Sequence, residues 1–277
     1  MLTTPLSTHT GTEVRNLDLS QNIPAQQLLT LQDLFSQRSV LVFRGQSLQP
    51  AELLRAVQQF GEVFEQQNTR FSLPECPLIH YLSNEDRYPS GERYIPGAGY
   101  HTDHSNDVEP PKATVLHAVE LPSSGGDTQF VNMHEVYEAL TDSMRARLGE
   151  LSAEHVYQST LSQRKLMGLT PGRKAQIAPS VWHPLARTHP ETGRKSLYIN
   201  PIRIQRIGAL EEEDTCALMD KLIEIAVRKQ FEYRHRWQAG DVVMWDNRCL
   251  LHKANGDYDM SERRYLYRVM LRGSRPD

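Results

Sequence analysis

Cysteine is scarce in this chain. Three occur in 277 residues, at Cys76, Cys216 and Cys249. An odd, scattered set argues against a disulfide frame and for a reducing compartment, the cytoplasm. Long apolar runs are missing as well. No stretch approaches the roughly 18 residues that a membrane-crossing helix needs, so no membrane partner is expected. Met1-Leu2-Thr3-Thr4-Pro5 lacks a charged segment followed by an apolar one, so no secretory signal is expected. Charge of one sign is not in excess: 31 basic against 34 acidic residues give a net charge of −3, with no basic run. A nucleic-acid partner is therefore not expected. No Gly-x-Gly-x-x-Gly follows a strand-like run, which leaves a dinucleotide fold without support. Internal repeats and low-complexity segments are absent too.

The length suits one substantial core, and a single domain over residues 1–277 is expected. Leucine spacing and an early proline predict a helix over 24–37, and Pro50 to Gly61 reads as a second helix. Met133 to Leu148 suits a third. Leu210 to Lys229, acidic early and basic late as a helix dipole prefers, suits a fourth. Val40–Phe43, Ala113–Val119, Gln129–Val131, Asp241–Trp245 and Tyr265–Leu271 read as strands. Short strands with few flanking helices point to a mainly β, α+β fold of sandwich or jelly-roll type. Residues 84–99, rich in Asn, Asp, Glu, Pro and Gly, read as a loop before His101. The wider spans 66–100 and 159–180 are the expected lids.

The informative residues are His101 and Asp103, in Gly99-Tyr100-His101-Thr102-Asp103-His104, and His252, in Trp245-Asp246-Asn247-Arg248-Cys249-Leu250-Leu251-His252. Two imidazoles and a carboxylate make the facial triad of a non-haem Fe(II) oxygenase, with one face of the metal open. On a strand, alternate residues share a face, so a His-x-Asp pair can present both groups together. The second histidine must return from a distant strand, since 149 positions (252 − 103) separate it from Asp103. Alone, His-x-Asp is a weak signal that a surface histidine would also give. Arg263-Arg264-Tyr265-Leu266-Tyr267-Arg268 follows His252 closely. Arginine forks match carboxylates, as a site chelating a dicarboxylate cosubstrate requires.

Several blocks then stand in one order: Leu41-Val42-Phe43-Arg44-Gly45, Phe60-Gly61, His101-Thr102-Asp103, Leu121 to Thr128 with its Gly125-Gly126-Asp127-Thr128 end, Thr188 to Lys195, and Gly240 to Arg248. With them, from about Val40 to Gly273, the chain resembles the taurine dioxygenase (TauD/TfdA) family of Fe(II)/2-oxoglutarate-dependent oxygenases. The resemblance implies a double-stranded β-helix, a cupin-like jelly-roll variant. It implies Fe(II) on His101, Asp103 and His252, with 2-oxoglutarate and O2 as cosubstrates. It places Thr128 and Arg264 on the distal carboxylate of 2-oxoglutarate, and Arg268 near its metal-bound end, facing the prime substrate. The run from His252 to the arginine pair is one residue longer than in the taurine enzyme. Strand alternation puts Arg264 and Arg268 on one face, which leaves Arg263 as a surface charge.

The implied reaction oxidises 2-oxoglutarate to succinate and CO2 while hydroxylating an unactivated C–H bond, with C–S, C–O or C–N cleavage where the product collapses. A carboxylate at Asp103 favours hydroxylation over halogenation, because related halogenases carry a small residue there. The polar groups that contact taurine are missing: the corresponding segments read Gln66 to Arg70 and Gly97 to Tyr100. A small anionic metabolite other than taurine is expected, with Arg268, Tyr100 and Arg70 as substrate-pocket candidates. A homodimer or homotetramer is compatible with the resemblance. His117 and His183 read as hydrogen-bonded core groups, His189 as part of a turn, and Trp245 as core. Two alternatives stay open. His/Asp/His also suits a hydrolytic zinc, and a jelly roll can serve as a non-catalytic sensor of 2-oxoglutarate or metal.

Overall fold

The computed structural model describes residues 1–169 and 179–277. An eight-stranded sheet dominates. Its strands run in the order Leu2–Pro5, Thr12–Arg15, Val40–Phe43, Val242–Asp246, Ala113–Glu120, Tyr265–Leu271, Cys76–Ser83, Ser72–Leu73. Neighbours pair antiparallel except Thr12–Arg15 with Val40–Phe43. A smaller sheet orders Glu232–His235, Thr128–Asn132, Leu250–Ala254. The central strands read as unbroken apolar runs because both of their faces are covered. Leu41, Phe43, Val242 and Met244 face the helices Ala25–Arg38 and Pro50–Gln58, where Leu31, Phe35 and Leu53 complete a core. Val40, Val42, Val243, Trp245, Leu116 and Leu266 turn inward and meet Phe130, Tyr233 and Leu250 of the small sheet. The two sheets thus close face to face into a jelly roll, and even-numbered residues of Tyr265–Leu271 and Leu250–Ala254 look into it.

Two further sheets flank this frame. One joins Ile204–Ile207, Ser152–His155 and Val181–Pro184; the other joins Ala186–Thr188 and Lys195–Leu197. Helix Glu212–Ala226 covers their side through Leu218 and Leu222. No helix among the described residues is long and apolar enough to cross a membrane.

Several expectations change. The helix expected over Met133 to Leu148 is two helices, Met133–Glu138 and Asp142–Gly149. Thr141 stays extended (ψ 154°), and its hydroxyl accepts from the Met144 N–H. A local side-chain acceptor thereby starts a second helix where the apolar pattern suggests continuation. The expected lid at 66–100 contains a main-sheet strand, Cys76–Ser83, paired with Tyr265–Leu271. Of the second lid, 159–180, residues 170–178 lie outside the described residues.

Candidate active site

The expected strand alternation of the His-x-Asp pair does not hold. His101 makes a single antiparallel bridge to His252: its N–H donates to the His252 carbonyl at 3.0 Å, and the His252 N–H returns to the His101 carbonyl at 2.8 Å. Beyond it the chain turns, and His104 adopts a left-handed φ of 46°. The turn, not a strand, carries Asp103 beside His101. It also brings the His104 ring inward, 5.4 Å from the Phe64 ring, where it lines the pocket beside Asp103.

Anchors hold this turn. The Thr102 hydroxyl donates to the Asn247 carbonyl at 2.8 Å. The Asn200 amide donates to the Thr102 carbonyl at 2.8 Å and to the Ser105 hydroxyl at 2.9 Å. The Thr114 hydroxyl donates to Asp103 Oδ2 at 2.7 Å and accepts from the Asn247 amide at 2.9 Å. Asn247 also accepts from the Trp245 indole N–H at 3.1 Å. A buried chain Trp245–Asn247–Thr114–Asp103 therefore fixes the carboxylate through neighbouring strands.

The three groups converge. His101 Nε2 lies 3.7 Å from Asp103 Oδ1, and His252 Nε2 lies 3.6 Å from Asp103 Oδ2. All three ligand atoms lie within 4.8 Å of one another. Adjacent sites on an ion with bonds of about 2.1 Å are about 3 Å apart, so a small inward movement would seat one metal. His101 Nδ1 donates to the Gly99 carbonyl at 2.9 Å, which leaves Nε2 as the lone-pair nitrogen. Burial lowers the pKa of both His101 and His252, which keeps their rings neutral as ligation requires. Burial would raise Asp103, but interaction with the neighbouring His252 and His101 rings and with the Arg268 guanidinium outweighs it and holds the carboxyl below its usual range. Donor set and geometry fit a divalent iron with its remaining positions open.

Arg264 and Arg263 separate as expected from alternation. Arg264 is buried; its Nε donates to the Gly126 carbonyl at 3.1 Å, while its buried Nη2 has no partner among the described residues. Arg263 lies outside, bonded to Glu85 and Glu120 at 2.9 Å each. Gly125 and Gly126 make the close approach in front of Arg264. At Gly125 (φ 75°) a Cβ would sit 2.3 Å from the Asp257 carbonyl, and at Gly126 (φ 70°) 3.1 Å from Arg264 Nε. Thr128, two residues on, is buried, and its hydroxyl accepts from the Trp237 indole at 3.0 Å.

Arg268 lines a pocket together with His101, Asp103 and His104. Its Nε donates to Gln66 Oε1 at 2.7 Å. The other walls include Tyr94 and Phe71 from one side and Arg164, Met167, Tyr157 and Arg203 from the other. Tyr100 and Arg70 are not among the lining residues. Tyr100 points its hydroxyl to Glu232 at 3.4 Å, with the Lys253 ammonium 4.7 Å over its ring. Its neighbour His101 carries the pocket side of the segment. Arg70 is exposed, and among the described residues its side chain reaches the Met167 sulfur at 3.9 Å. Sequence reasoning missed Thr114, Asn200, Arg164 and Arg203. Asn200 and Arg203, in Ile199-Asn200-Pro201-Ile202-Arg203, carried a polar signal between apolar residues that could have flagged them.

His117 and His183 are hydrogen-bonded core groups, to the Gln46 and Asp107 carbonyls. Trp245 is core, though its ring packs 4.7 Å from His252. His189 does more than shape a turn: it is fully buried and its Nε2 meets Asp246 Oδ2 at 3.1 Å. His189, Asp246 and Cys249 form a second group of ligand-type residues. Asp246 is already engaged there by Arg248, which also clasps Glu191 through two bonds of 2.9 and 3.0 Å. This group braces the turn that leads to His252.

The family model described as taurine catabolism dioxygenase TauD, TfdA family matches residues 2–270. The alpha-ketoglutarate-dependent 2,4-dichlorophenoxyacetate dioxygenase of Cupriavidus pinatubonensis is 35% identical over 269 residues, covering 92% of each chain. Pentalenolactone F synthase of Streptomyces arenae is 34% identical over 244 residues, 83% of this chain and 81% of that one. A crystal structure of a taurine dioxygenase from Burkholderia xenovorans superposes with a TM-score of 0.84 at 30% identity, covering 99% of this chain and 90% of the other. Motif, fold and relatives agree, and the chain belongs to the TauD/TfdA family of dioxygenases that use Fe(II), 2-oxoglutarate and O2.

Proposed function

We propose that this enzyme hydroxylates an unactivated C–H bond of a small anionic molecule, with 2-oxoglutarate and O2 converted to succinate and CO2. The observation that carries the substrate charge is the pocket beside Asp103. It is lined by three guanidinium groups, Arg164, Arg203 and Arg268, against Asp103 as its one carboxylate among the described residues. Relatives named for 2,4-dichlorophenoxyacetate, phenoxypropionate and sulfonate point to the same charge class. Taurine itself does not suit the segments 66–70 and 97–100.

In this reading His101, Asp103 and His252 hold iron. When bound, iron and 2-oxoglutarate supply the oxidising chemistry, and the protein supplies position and a dry site. Thr128 and the unpartnered Nη2 of Arg264 take the distal carboxylate of 2-oxoglutarate. Arg268 stands at the near end and turns the anion of the prime substrate towards the metal. Two segments close the pocket from opposite sides and touch each other. Tyr88 Oη donates to the Lys165 carbonyl at 2.7 Å, the Asn68 amide to the Gly168 carbonyl at 3.2 Å, and Arg164 to the Ile95 carbonyl at 3.5 Å. We take them as lids of a single-domain enzyme that excludes water during turnover. The apolar settings of Cys76 and Cys249 suit a reducing cytoplasm, and assembly into a dimer or tetramer is compatible with the fold. The zinc-hydrolase and sensor alternatives lose support, because the relatives are named as dioxygenases. A screen of sulfonates, alkyl sulfates, aryloxy acids and amino acids for substrate-coupled succinate release tests the proposal. Coupling confined to neutral or cationic compounds would overturn the anionic reading.

A further inference from the structure

The pocket beside Asp103 holds more positive charge than the proposed cosubstrate answers. Ferrous iron and Arg264 together bring three positive charges, which Asp103 and dianionic 2-oxoglutarate together cancel. Arg164, Arg203 and Arg268 then remain. Arg268 is the one that the family resemblance already assigns. The other two come from separate elements, the lid and the segment after Asn200, and meet at the same cavity.

Neither is ion-paired to a carboxylate among the described residues. Arg203 Nη1 donates to the Tyr157 carbonyl at 2.9 Å, and its guanidinium lies 5.2 Å from the Tyr157 ring centroid. Among the described residues, Arg164 Nη2 reaches the Ile95 carbonyl at 3.5 Å, and its Nη1 is buried without a partner. Asp103 is the one carboxylate among the described residues that lines the cavity with them, and it belongs to the proposed triad. Burying guanidinium groups without counter-charges is costly, and a singly charged substrate held by Arg268 would leave two of them unanswered. Phe71, Leu166, Met167 and Ile202 give the rest of the wall an apolar surface for a carbon body.

We infer that Arg164 and Arg203 are specificity residues that select a prime substrate carrying at least two negative charges. Arg268 takes one charge beside the metal, and Arg164 and Arg203 take the other. The chemical class is a small organic dianion: a dicarboxylate, or a phosphonate or phosphate monoester. This rests on the proposed iron and 2-oxoglutarate site and extends it.

The test is anaerobic calorimetry on the protein loaded with Fe(II) and 2-oxoglutarate, at a pH where a phosphonate is doubly ionised. Two matched pairs serve as probes: phenylphosphonate against benzenesulfonate, and 4-carboxyphenoxyacetate against phenoxyacetate. The doubly charged member of at least one pair binds roughly tenfold or more tightly. Which pair shows the preference tells one dianionic head from two separated anions. Arg164→Gln and Arg203→Gln each shrink that preference towards unity. Equal affinities within both pairs, no measurable binding of either dianion, or a preference that outlives both substitutions overturns the inference. The comparison in the unsubstituted protein stands whether or not a variant folds. The visible band of the Fe(II)–2-oxoglutarate complex reports the underlying site separately. A band with no dianion preference removes only this inference, whereas no band in the unsubstituted protein removes the site itself.

Discussion

Removing Arg264 while keeping Arg263 isolates the proposed 2-oxoglutarate clamp. The two arginines are adjacent in sequence and equal in charge, so net charge and composition change identically in Arg264→Ala and Arg263→Ala. Their surroundings differ. Arg264 is 6% exposed, with one hydrogen bond to the Gly126 carbonyl and a buried nitrogen left over. The Arg263 side chain is 42% exposed and paired with Glu85 and Glu120 at the surface. A buried carboxylate that loses its arginine costs about 3–5 kcal/mol, hence roughly two to four decades in 2-oxoglutarate affinity. A surface pair contributes about 0–1 kcal/mol to stability and nothing to that affinity. Anaerobic titration of each Fe(II)-loaded variant with 2-oxoglutarate gives the two dissociation constants, and thermal melts confirm that both are folded. Arg264→Lys serves as the graded control: it keeps the charge, loses the planar fork, and falls between the parent and the alanine variant. Equal weakening in Arg264→Ala and Arg263→Ala would refute the reasoning, because it would mean that the burial of Arg264, just before Tyr265–Leu271, does not decide which arginine meets the cosubstrate.

His101→Ala, Asp103→Ala and His252→Ala each abolish succinate formation while the melting temperature stays near that of the metal-free parent; full turnover by Asp103→Ala without added carboxylate would remove the triad. Thr114→Val removes the hydroxyl that donates to Asp103 Oδ2 at 2.7 Å, and iron affinity, read by competition with a chelator, falls by roughly 10–100-fold. Arg248→Ala leaves Asp246 charged and buried, and unfolding in urea shows a loss of about 3–5 kcal/mol. Burial would raise Asp246, but Arg248 and His189 hold it well below the usual carboxylate range. That stability is complete above the ordinary aspartate pKa of about 3.9 and is lost as pH falls below it towards the folded value, so urea midpoints of the parent drop on acidification in that window; an Arg248→Ala variant with an unchanged acid profile would contradict the assignment.

Much of the candidate site was legible in the chain because its proposed chemistry is carried by a few residue types at fixed spacing. His101, Asp103, His252 and Arg264 were readable that way, and the central strands Val40–Phe43 and Tyr265–Leu271 fell where their apolar runs put them. What escaped depends on long-range packing. Thr114 supports Asp103 only because Ala113–Glu120 pairs with Val242–Asp246, which carries the chain to Asn247. Arg164 and Arg203 share a wall although neither sits in a motif. Strands of three or four residues such as Ser152–His155 and Lys195–Leu197 are too short to show a period. The His-x-Asp alternation misled for a local reason: the chain turns at Asp103 and His104, so both His104 and Asp103 reach the pocket. Tyr100 looked like a pocket residue from its place next to His101, but its hydroxyl is drawn to Glu232 on the neighbouring sheet.

The central claim is that His101, Asp103 and His252 hold an iron that 2-oxoglutarate chelates and O2 then reaches. Adding Fe(II) and 2-oxoglutarate to the protein without oxygen, and then admitting O2, tests it most directly. The account predicts a weak visible charge-transfer band that appears only with both additions, bleaches with O2 and yields succinate, and is lost in His252→Ala. No band, or a band and succinate that persist in His252→Ala, would contradict it.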